Sequence, residues 1–242
     1  MNKSKIRLVA MDLDGTLTQH KEGLCEANRL ALDKLASRYK LLMVGAGQCT
    51  RIFNQMNHYP IDIIGNYGLQ YATYNSTTGE LDMKRDLRFD IDRDAVEKRV
   101  NYFREKYGFT EYRGENVEYH ISGCVTFPIL GTKAIQADKL AFDPDRKKRR
   151  AIYKEVCEAF DEYNVFVGGS SSFDMSPKPH NKRYALELYC KENGYLPSEV
   201  AYIGDDYGVG GNDESVYKAS FNYFKIDDYR DFPRVIEPLL ED

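Results

Sequence analysis

Two short apolar runs, far apart in the chain, both end in acids. Ile6, Leu8, Val9 and Met11 lead into Asp12, Leu13, Asp14, Gly15 and Thr16, and Val200–Gly204 leads into Asp205 and Asp206. Short continuous apolar runs bounded by turn residues are the pattern of strands buried on both faces of a parallel sheet. The segments after the first run keep the same rhythm. Ala27, Leu30, Ala31, Leu35 and Tyr39 fall at helical spacing, and Lys40–Ala46 is a second apolar strand ending in glycines. Ile52, Phe53 and Met56 then suggest a helix, and Asp62–Ile64 a third strand. Strand, helix, strand, helix, strand predicts a parallel sheet with right-handed crossovers.

The middle of the chain reads differently. Leu69–Tyr74 and Glu80–Met83 flank a turn and predict a hairpin. A helix is expected over 92–107, with Gly108 as its stop, followed by strands at 117–121 and 124–130. A second long helix should carry Ile152, Val156, Ala159, Phe160 and Tyr163, with strands at 164–167 and 172–175. After Pro177 and Pro179 the parallel pattern returns, with a helix through Ala185, Leu188 and Tyr189, a strand near 219–224 and a final helix. The expected fold is α/β: a Rossmann-like parallel-sheet core from residues 1–84 and 179–242, and an inserted α+β domain over 85–178.

Composition excludes several classes of function. With 42% hydrophobic residues in 242, the chain has ample material for a core of this kind. The formal net charge of −4 gives no global basic field for nucleic acid. The basic run Asp143–Arg150 reads as a helix start, with Asp143 or Asp145 as cap and its cations on a solvated face. The five cysteines lack metal-type spacing, as expected of free thiols in a reducing cytoplasm. No apolar run reaches the roughly 20 residues that span a bilayer. The N-terminal residues show no signal-peptide pattern. A cytoplasmic protein with a small-molecule partner, and neither membrane nor nucleic acid, is expected.

The acids need a physical reason. Two carboxylates about 4 Å apart at an effective dielectric near 20 repel by roughly 4 kcal/mol. In extended chain, residues i and i+2 face the same way, so Asp12 and Asp14 can reach one small ligand. One can attack as a nucleophile while the other handles a proton. An ordinary strand-to-turn exit would account for Asp-Leu-Asp-Gly-Thr alone, but not for a second acid pair on another strand. Ligands of open α/β sheets bind at the carboxyl ends of strands. There the chain delivers Asp12 and Asp14, then Gly45 through Thr50, then Asp205 and Asp206. Oxygen donors of this kind suit Mg²⁺, which would also offset the repulsion. The amides of Gly15 and Thr16 are expected to form a small anion nest. Lys182 opens a helix and can act as a point charge on phosphate. Asp213, with Asp205 and Asp206 in the glycine-rich stretch 204–213, could hold the cation directly or through water.

These motifs resemble the haloacid dehalogenase superfamily of Mg²⁺-dependent phosphotransferases: Asp12–Thr16 its first motif, Lys182 its third, Gly204–Asp206 its fourth. The inserted domain resembles the α/β cap (type IIB) of that superfamily. The segments around 10–18, 41–52, 63–71, 167–177, 181–186 and 204–214 are similar to the phosphomannomutase branch. The resemblance implies Asp12 as the nucleophile that forms an aspartyl-phosphate, and Asp14 as general acid/base with its main-chain oxygen on Mg²⁺. It implies Asp205 on the metal, Lys182 steadying nucleophile and phosphate, and Ser172 and Asp174 contacting a sugar phosphate. A cap-mediated homodimer is also implied.

Departures from the branch bear on the reaction. Gly47 stands where the second motif has serine, and the candidates to take over the phosphate contact are the Gly47 amide, Gln48 or Thr50, beside Gly45. The three cap arginines that grip a far phosphate fall at His120, Lys133 and Lys139, and losing planar bidentate donors weakens that grip. The expectation is therefore a phosphatase acting on a sugar phosphate or related metabolite. A phosphomannomutase is the alternative, and a catalytically idle sugar-phosphate-binding protein the third reading.

Overall fold

The computed structural model describes residues 5–20 and 22–241. The basic start of the chain, residues 1–4, lies outside them. The chain divides into two compact units. One comprises the chain up to Asp86, Asn181–Gly208 and the chain from Asp213 onward; the other comprises Leu87–His180 and Val209–Asn212.

The first unit is built on a seven-stranded sheet. In chain order its strands are β1 (Leu8–Met11), β2 (Lys40–Val44), β3 (Asp62–Gly65), β4 (Gln70–Asn75), β5 (Glu80–Asp86), and, after the second unit, β10 (Val200–Gly204) and β11 (Asn222–Lys225). The spatial order is β11-β10-β1-β2-β3-β4-β5. The five strands from β11 to β3 pair in parallel, and the β4–β5 hairpin extends them antiparallel. Every residue of β1, β3 and β10 is buried, which is why β1 and β10 read as short continuous apolar runs.

Alternation along these strands sorts their side chains into two layers. Val9, Met11, Met43, Ile63, Ala201 and Ile203 pack with Leu32 and Leu35 of α1 (Glu26–Ala36) and with Ile52 and Phe53 of α2 (Cys49–Gln55). Leu8, Ala10, Leu42, Val44, Val200 and Tyr202 face the opposite layer. Met11 and Ile203 are register partners, and the Asp12 amide donates to the Ile203 carbonyl at 3.0 Å. The two acid-bearing strands thus end side by side in the middle of the sheet, where ligand sites of such folds form.

The second unit has a four-stranded antiparallel sheet. Its strands are β6 (Glu118–Tyr119), β7 (Val125–Pro128), β8 (Tyr163–Phe166) and β9 (Ser172–Pro177), in the order β6-β7-β9-β8. Val125, Phe127, Val165, Phe173 and Met175 share one core with Val96, Val100 and Phe103 of α3 (Arg93–Tyr107) and Ile152 and Val156 of α5 (Lys147–Ala159). The period of two therefore puts Thr126, Ser172 and Asp174 on the other face. Gly108 ends α3 in the left-handed region. In the first unit α6 (Lys182–Asn193) and the short α7 (Glu214–Tyr217) pack in the layer of Leu8 and Tyr202, while the short α8 (Phe232–Val235) and α9 (Glu237–Leu240) pack beside α1 in the other.

Two local expectations need correction, and one element was not foreseen. Tyr163 opens β8 rather than ending α5, because the helix stops at Ala159 and Phe160 turns the chain. A short α4 (Gln136–Phe142), in a stretch where the sequence pattern predicts no element, buries none of its residues, so it leaves no apolar stripe to read. The basic run before α5 is not wholly solvated. Asp143 and Asp145 do accept amide hydrogen bonds from the first turn, but Arg149 is fully buried. No helix among the described residues is long and apolar enough to cross a membrane.

Candidate active site

The loop after β1 is closed by its own main chain. The Leu17 and Thr18 amides donate to the Leu13 carbonyl, and Gly15 N donates to Thr18 O at 2.8 Å. The buried Asn28 of α1 donates to the Leu17 carbonyl, tying this loop to the helix. Leu13 is buried in the core, and the acids on either side of it stand at the loop mouth. The Gly15 and Thr16 amides both donate to carbonyls inside the loop, so the anion nest expected of them is already satisfied internally. Thr16 contributes its hydroxyl instead, donating to Asp205 Oδ1 at 2.9 Å. Gly15 has φ +93, and a Cβ there would lie 2.4 Å from Asp205 Oδ2. Only glycine permits both that conformation and that approach.

Lys182 is the first residue of α6, whose N-cap Asn181 accepts from the Tyr184 amide. A cation at this end opposes the helix dipole. The carboxylates opposite outweigh it. Lys182 Nζ lies 2.8 Å from Asp12 Oδ2 and 2.8 Å from Asp213 Oδ1, and its side chain is fully buried. Asp213 also accepts from the Tyr202 hydroxyl at 2.6 Å and from the Asp206 amide at 3.1 Å. Burial acts to lower the Lys182 pKa, but Asp12 and Asp213 together hold it above its ordinary value.

Asp12, Asp205 and Asp213 each bring an oxygen within 4.8 Å of the others. One lysine faces three acids. Burial lifts the Asp12 carboxyl well above its ordinary range against the pull of Lys182, with Asp213 and Asp205 adding repulsion. Burial and Asp213 raise Asp205 to about 7. Such a set is over-supplied with negative charge, and its donors are all oxygen. It fits a hard divalent cation such as Mg²⁺. Asp12 and Asp205 are the best placed to hold it, because the Asp213 oxygens already accept three donors. The Asp206 carboxylate is not part of the three-acid group, although its amide orients Asp213.

Asp14 faces other partners. Gln55 Nε2 donates to its Oδ1 at 2.7 Å, Arg51 Nη2 to its Oδ2 at 3.1 Å, and His20 Nδ1 lies 3.8 Å away. The second-motif loop is fixed by the segment after β3. The Asn66 amide donates to the Gly47 carbonyl, and the Tyr67 amide to that of Gly45. Gly45 packs so closely on Ile52 that a Cβ would meet its Cδ1 at 2.6 Å. Gln48 and Thr50 are exposed at the start of α2.

In the second unit, Thr126 and Ser172 donate to Asp174 Oδ1 at 3.1 and 3.2 Å, and His120 Nε2 lies 3.3 Å from Thr126 Oγ1. Burial raises the Asp174 carboxyl more than these hydroxyls, His120 and Arg149 lower it. Lys139 lies on α4 and donates to the Thr132 carbonyl, while the Lys133 amide donates to Arg113 O. Sequence reasoning missed Arg51, Gln55 and Tyr202. The first two stand four and eight residues beyond Gly47, a helical spacing that places them on one face. Nothing local marks Tyr202 among apolar neighbours.

Comparison with known proteins bears on this constellation. The family model described as eukaryotic phosphomannomutase matches residues 29–228. Phosphomannomutase 1 of Mus musculus is 23% identical over 221 residues, covering 87% of this chain and 82% of that protein. The phosphomannomutase of Saccharomyces cerevisiae is 24% identical over 221 residues, covering 87% and 84%. Among solved structures, a phosphatase of the haloalkanoate (HAD) enzyme superfamily from Bacteroides thetaiotaomicron superposes with a TM-score of 0.64 at 13% identity, covering 98% of this chain and 96% of that one. The IMP-nucleotidase of Plasmodium falciparum gives 0.67 at 13% identity, covering 99% and 72%. The fold is that of the haloacid dehalogenase superfamily.

Proposed function

From the premise that this chain belongs to the eukaryotic phosphomannomutase family, we propose that it is a phosphotransferase acting on hexose phosphates through Asp12, interconverting mannose 1-phosphate and mannose 6-phosphate. The observation that carries the reading is the buried Asp12–Lys182–Asp213 chain, with both contacts to Lys182 at 2.8 Å. Lys182 holds Asp12 Oδ2 and leaves Oδ1 to attack phosphorus. Asp213 and Tyr202 hold Lys182 in place.

In the first half-reaction Asp12 Oδ1 bonds to phosphorus and the bond to the sugar oxygen breaks. Asp14, protonated, gives its proton to that leaving oxygen. In the second half-reaction a sugar hydroxyl gives its proton to Asp14 and attacks the aspartyl-phosphate, and the Asp12–phosphorus bond breaks. Mg²⁺, held by Asp12, Asp205 and the Asp14 main-chain oxygen, would offset charge on the phosphoryl oxygens. In the second unit, Ser172, Asp174 and Thr126 offer hydrogen-bonding groups suited to sugar hydroxyls.

The second reading is hydrolysis, with water as the acceptor. Its specific support is the second unit's weaker set of phosphate donors: the sequence resemblance puts His120, Lys133 and Lys139 in the places of the branch's arginines, and His120 is engaged with Thr126. Family membership weighs more, so the mutase comes first and the phosphatase expected from the sequence second. A phosphorus NMR time course with Mg²⁺, mannose 1-phosphate and a trace of hexose bisphosphate separates them. Mannose 6-phosphate should accumulate, and Asp12→Asn should stop it. Accumulation of inorganic phosphate alone would refute the mutase and leave hydrolysis. Turnover that survives Asp12→Asn would refute both.

A further inference from the structure

Gly47 and Arg51 are fitted to one another. A Cβ at Gly47 would lie 2.3 Å from both Nε and Nη2 of Arg51 and 2.7 Å from its Cζ. The guanidinium therefore fills the space where a side chain at position 47 would begin. The backbone there cannot move aside easily. The Gly47 carbonyl accepts from Asn66 N at 2.8 Å, and Gly65 approaches the same oxygen so closely that a Cβ would meet it at 2.7 Å. A serine at position 47 would push the Arg51 guanidinium, the far end of a flexible side chain, out of this position.

Arg51 also reaches the chemistry. Its Nη1 donates to Gln55 Oε1 at 2.7 Å and its Nη2 to Asp14 Oδ2 at 3.1 Å. Gln55 Nε2 in turn donates to Asp14 Oδ1 and, at 2.9 Å, to Thr18 Oγ1. The carboxylate gripped this way belongs to the residue two beyond Asp12. The Arg51 side chain keeps 43% of its surface exposed, so a ligand can reach the fork.

We propose that Arg51 is the phosphate-binding group of this chain's second motif, taking the place of the hydroxyl that Gly47 lacks. Its guanidinium exchanges Asp14 for oxygens of the transferring phosphoryl group. This rests on the phosphotransfer reading above. A planar fork of donors matches phosphate two bonds at a time, which a single hydroxyl cannot. The exchange releases Asp14 for proton transfer when phosphate arrives. Gln55 keeps hold of Asp14 Oδ1 and limits how far the acid can turn.

The test is calorimetric titration with inorganic phosphate in Mg²⁺, on the wild type, Arg51→Ala, Arg51→Lys, Gly47→Ser and the double variant Gly47→Ser/Arg51→Ala. Phosphate affinity should fall about 30- to 100-fold in Arg51→Ala, the scale of a lost charge-assisted pair. It should fall about as far in Gly47→Ser, where the new side chain displaces the guanidinium, and less far in Arg51→Lys. The double variant should bind at least about fivefold better than either single one, the non-additivity expected of residues sharing one space. Unchanged phosphate affinity in Arg51→Ala would overturn the proposal, as would a double variant no better than the singles. An arginine that only positions Asp14 would slow turnover and leave phosphate affinity untouched. Turnover assays on Asp12→Asn address the phosphotransfer reading separately: its failure there leaves the phosphate titration to decide on Arg51.

Discussion

Lys182 in the first unit and Arg149 in the second are both fully buried cations, and their surroundings differ in kind. Lys182 lies between two carboxylates, Asp12 and Asp213, each 2.8 Å away. Arg149 is bonded to one, Asp143, through Nε at 2.9 Å, while its Nη1 donates to the carbonyls of Gly168 at 2.6 Å and Ser172 at 3.0 Å and its buried Nη2 makes no hydrogen bond among the described residues. A compact ammonium can shift its weight between two acids as one of them gains or loses charge. A guanidinium bonded to carbonyls fixes a loop and has little to exchange. Burial of charge thus serves reactivity at one place and geometry at the other. Position alone does not reveal which; the partners do.

The widest test of this contrast is to remove each cation. Lys182→Met should cut turnover by about 10³-fold or more, the scale for losing a group that orients and charges a nucleophile. Steady-state kinetics on the purified variant measures it. Stability should fall less than the loss of a buried ion pair usually costs, because Asp12 and Asp205 can take up protons. Added Mg²⁺ should restore part of the melting temperature. Arg149→Met should show the reverse. Its loss leaves Asp143 buried without its partner, which costs about 3–5 kcal/mol in unfolding free energy. Urea titration reads that cost. Turnover per folded molecule should stay within about tenfold of the wild type, since Arg149 shapes the loop that carries Ser172 and reaches Asp174 only through its charge. Equal effects of the two substitutions on both readouts would dissolve the distinction.

A smaller cut probes the Lys182 side alone. Tyr202→Phe removes one of three donors to Asp213 and leaves the acid bonded to Lys182 and the Asp206 amide. The expected cost is about 1–2 kcal/mol of stability, with turnover down roughly three- to tenfold, as for a lost hydrogen bond to a charged group. A larger fall in turnover than in stability would mean that Tyr202 sets the position of Lys182. Equal falls would mean that it serves the core only.

The contrast also explains what could be read from sequence. Central parallel strands are buried on both faces, so β1 and β10 announce themselves, and the acids at their ends stand out against apolar neighbours. Lys182 follows at a helix start. Arg149 sits within Arg-Lys-Lys-Arg-Arg, and its burial depends on the loop at 168–172, which no local pattern reveals. Arg51 is hidden for the same reason: its meaning comes from the bare backbone of Gly47 and from Asp14, 37 positions away. Asp213 was legible as an acid near Asp205. Its task of holding Lys182 was not, because that contact spans 31 positions.

The finest test concerns Asp174, the second unit's counterpart of Asp12. Both carboxyls are raised by burial, yet Asp12 meets a lysine at 2.8 Å while Asp174 meets the hydroxyls of Thr126 and Ser172. Because the folded state holds the Asp174 proton more tightly than the unfolded chain, this group stabilises the fold below the ordinary carboxylate range. That contribution is lost as pH rises through the raised folded value. Asp174→Asn carries no such titration. Its melting temperature should exceed that of the wild type at pH 8, and the difference should shrink as pH falls through the raised Asp174 value and the carboxyl takes up its proton. If Asp174 contacts the sugar, KM should rise about tenfold in the same variant, the scale of one hydrogen bond to a charged acceptor. A more stable protein that binds substrate less well is the mark of a carboxylate kept for its ligand. A variant more stable at pH 8 with unchanged KM would make Asp174 a buried acid of the sheet and nothing more, and the sugar contacts would have to be sought elsewhere in the second unit.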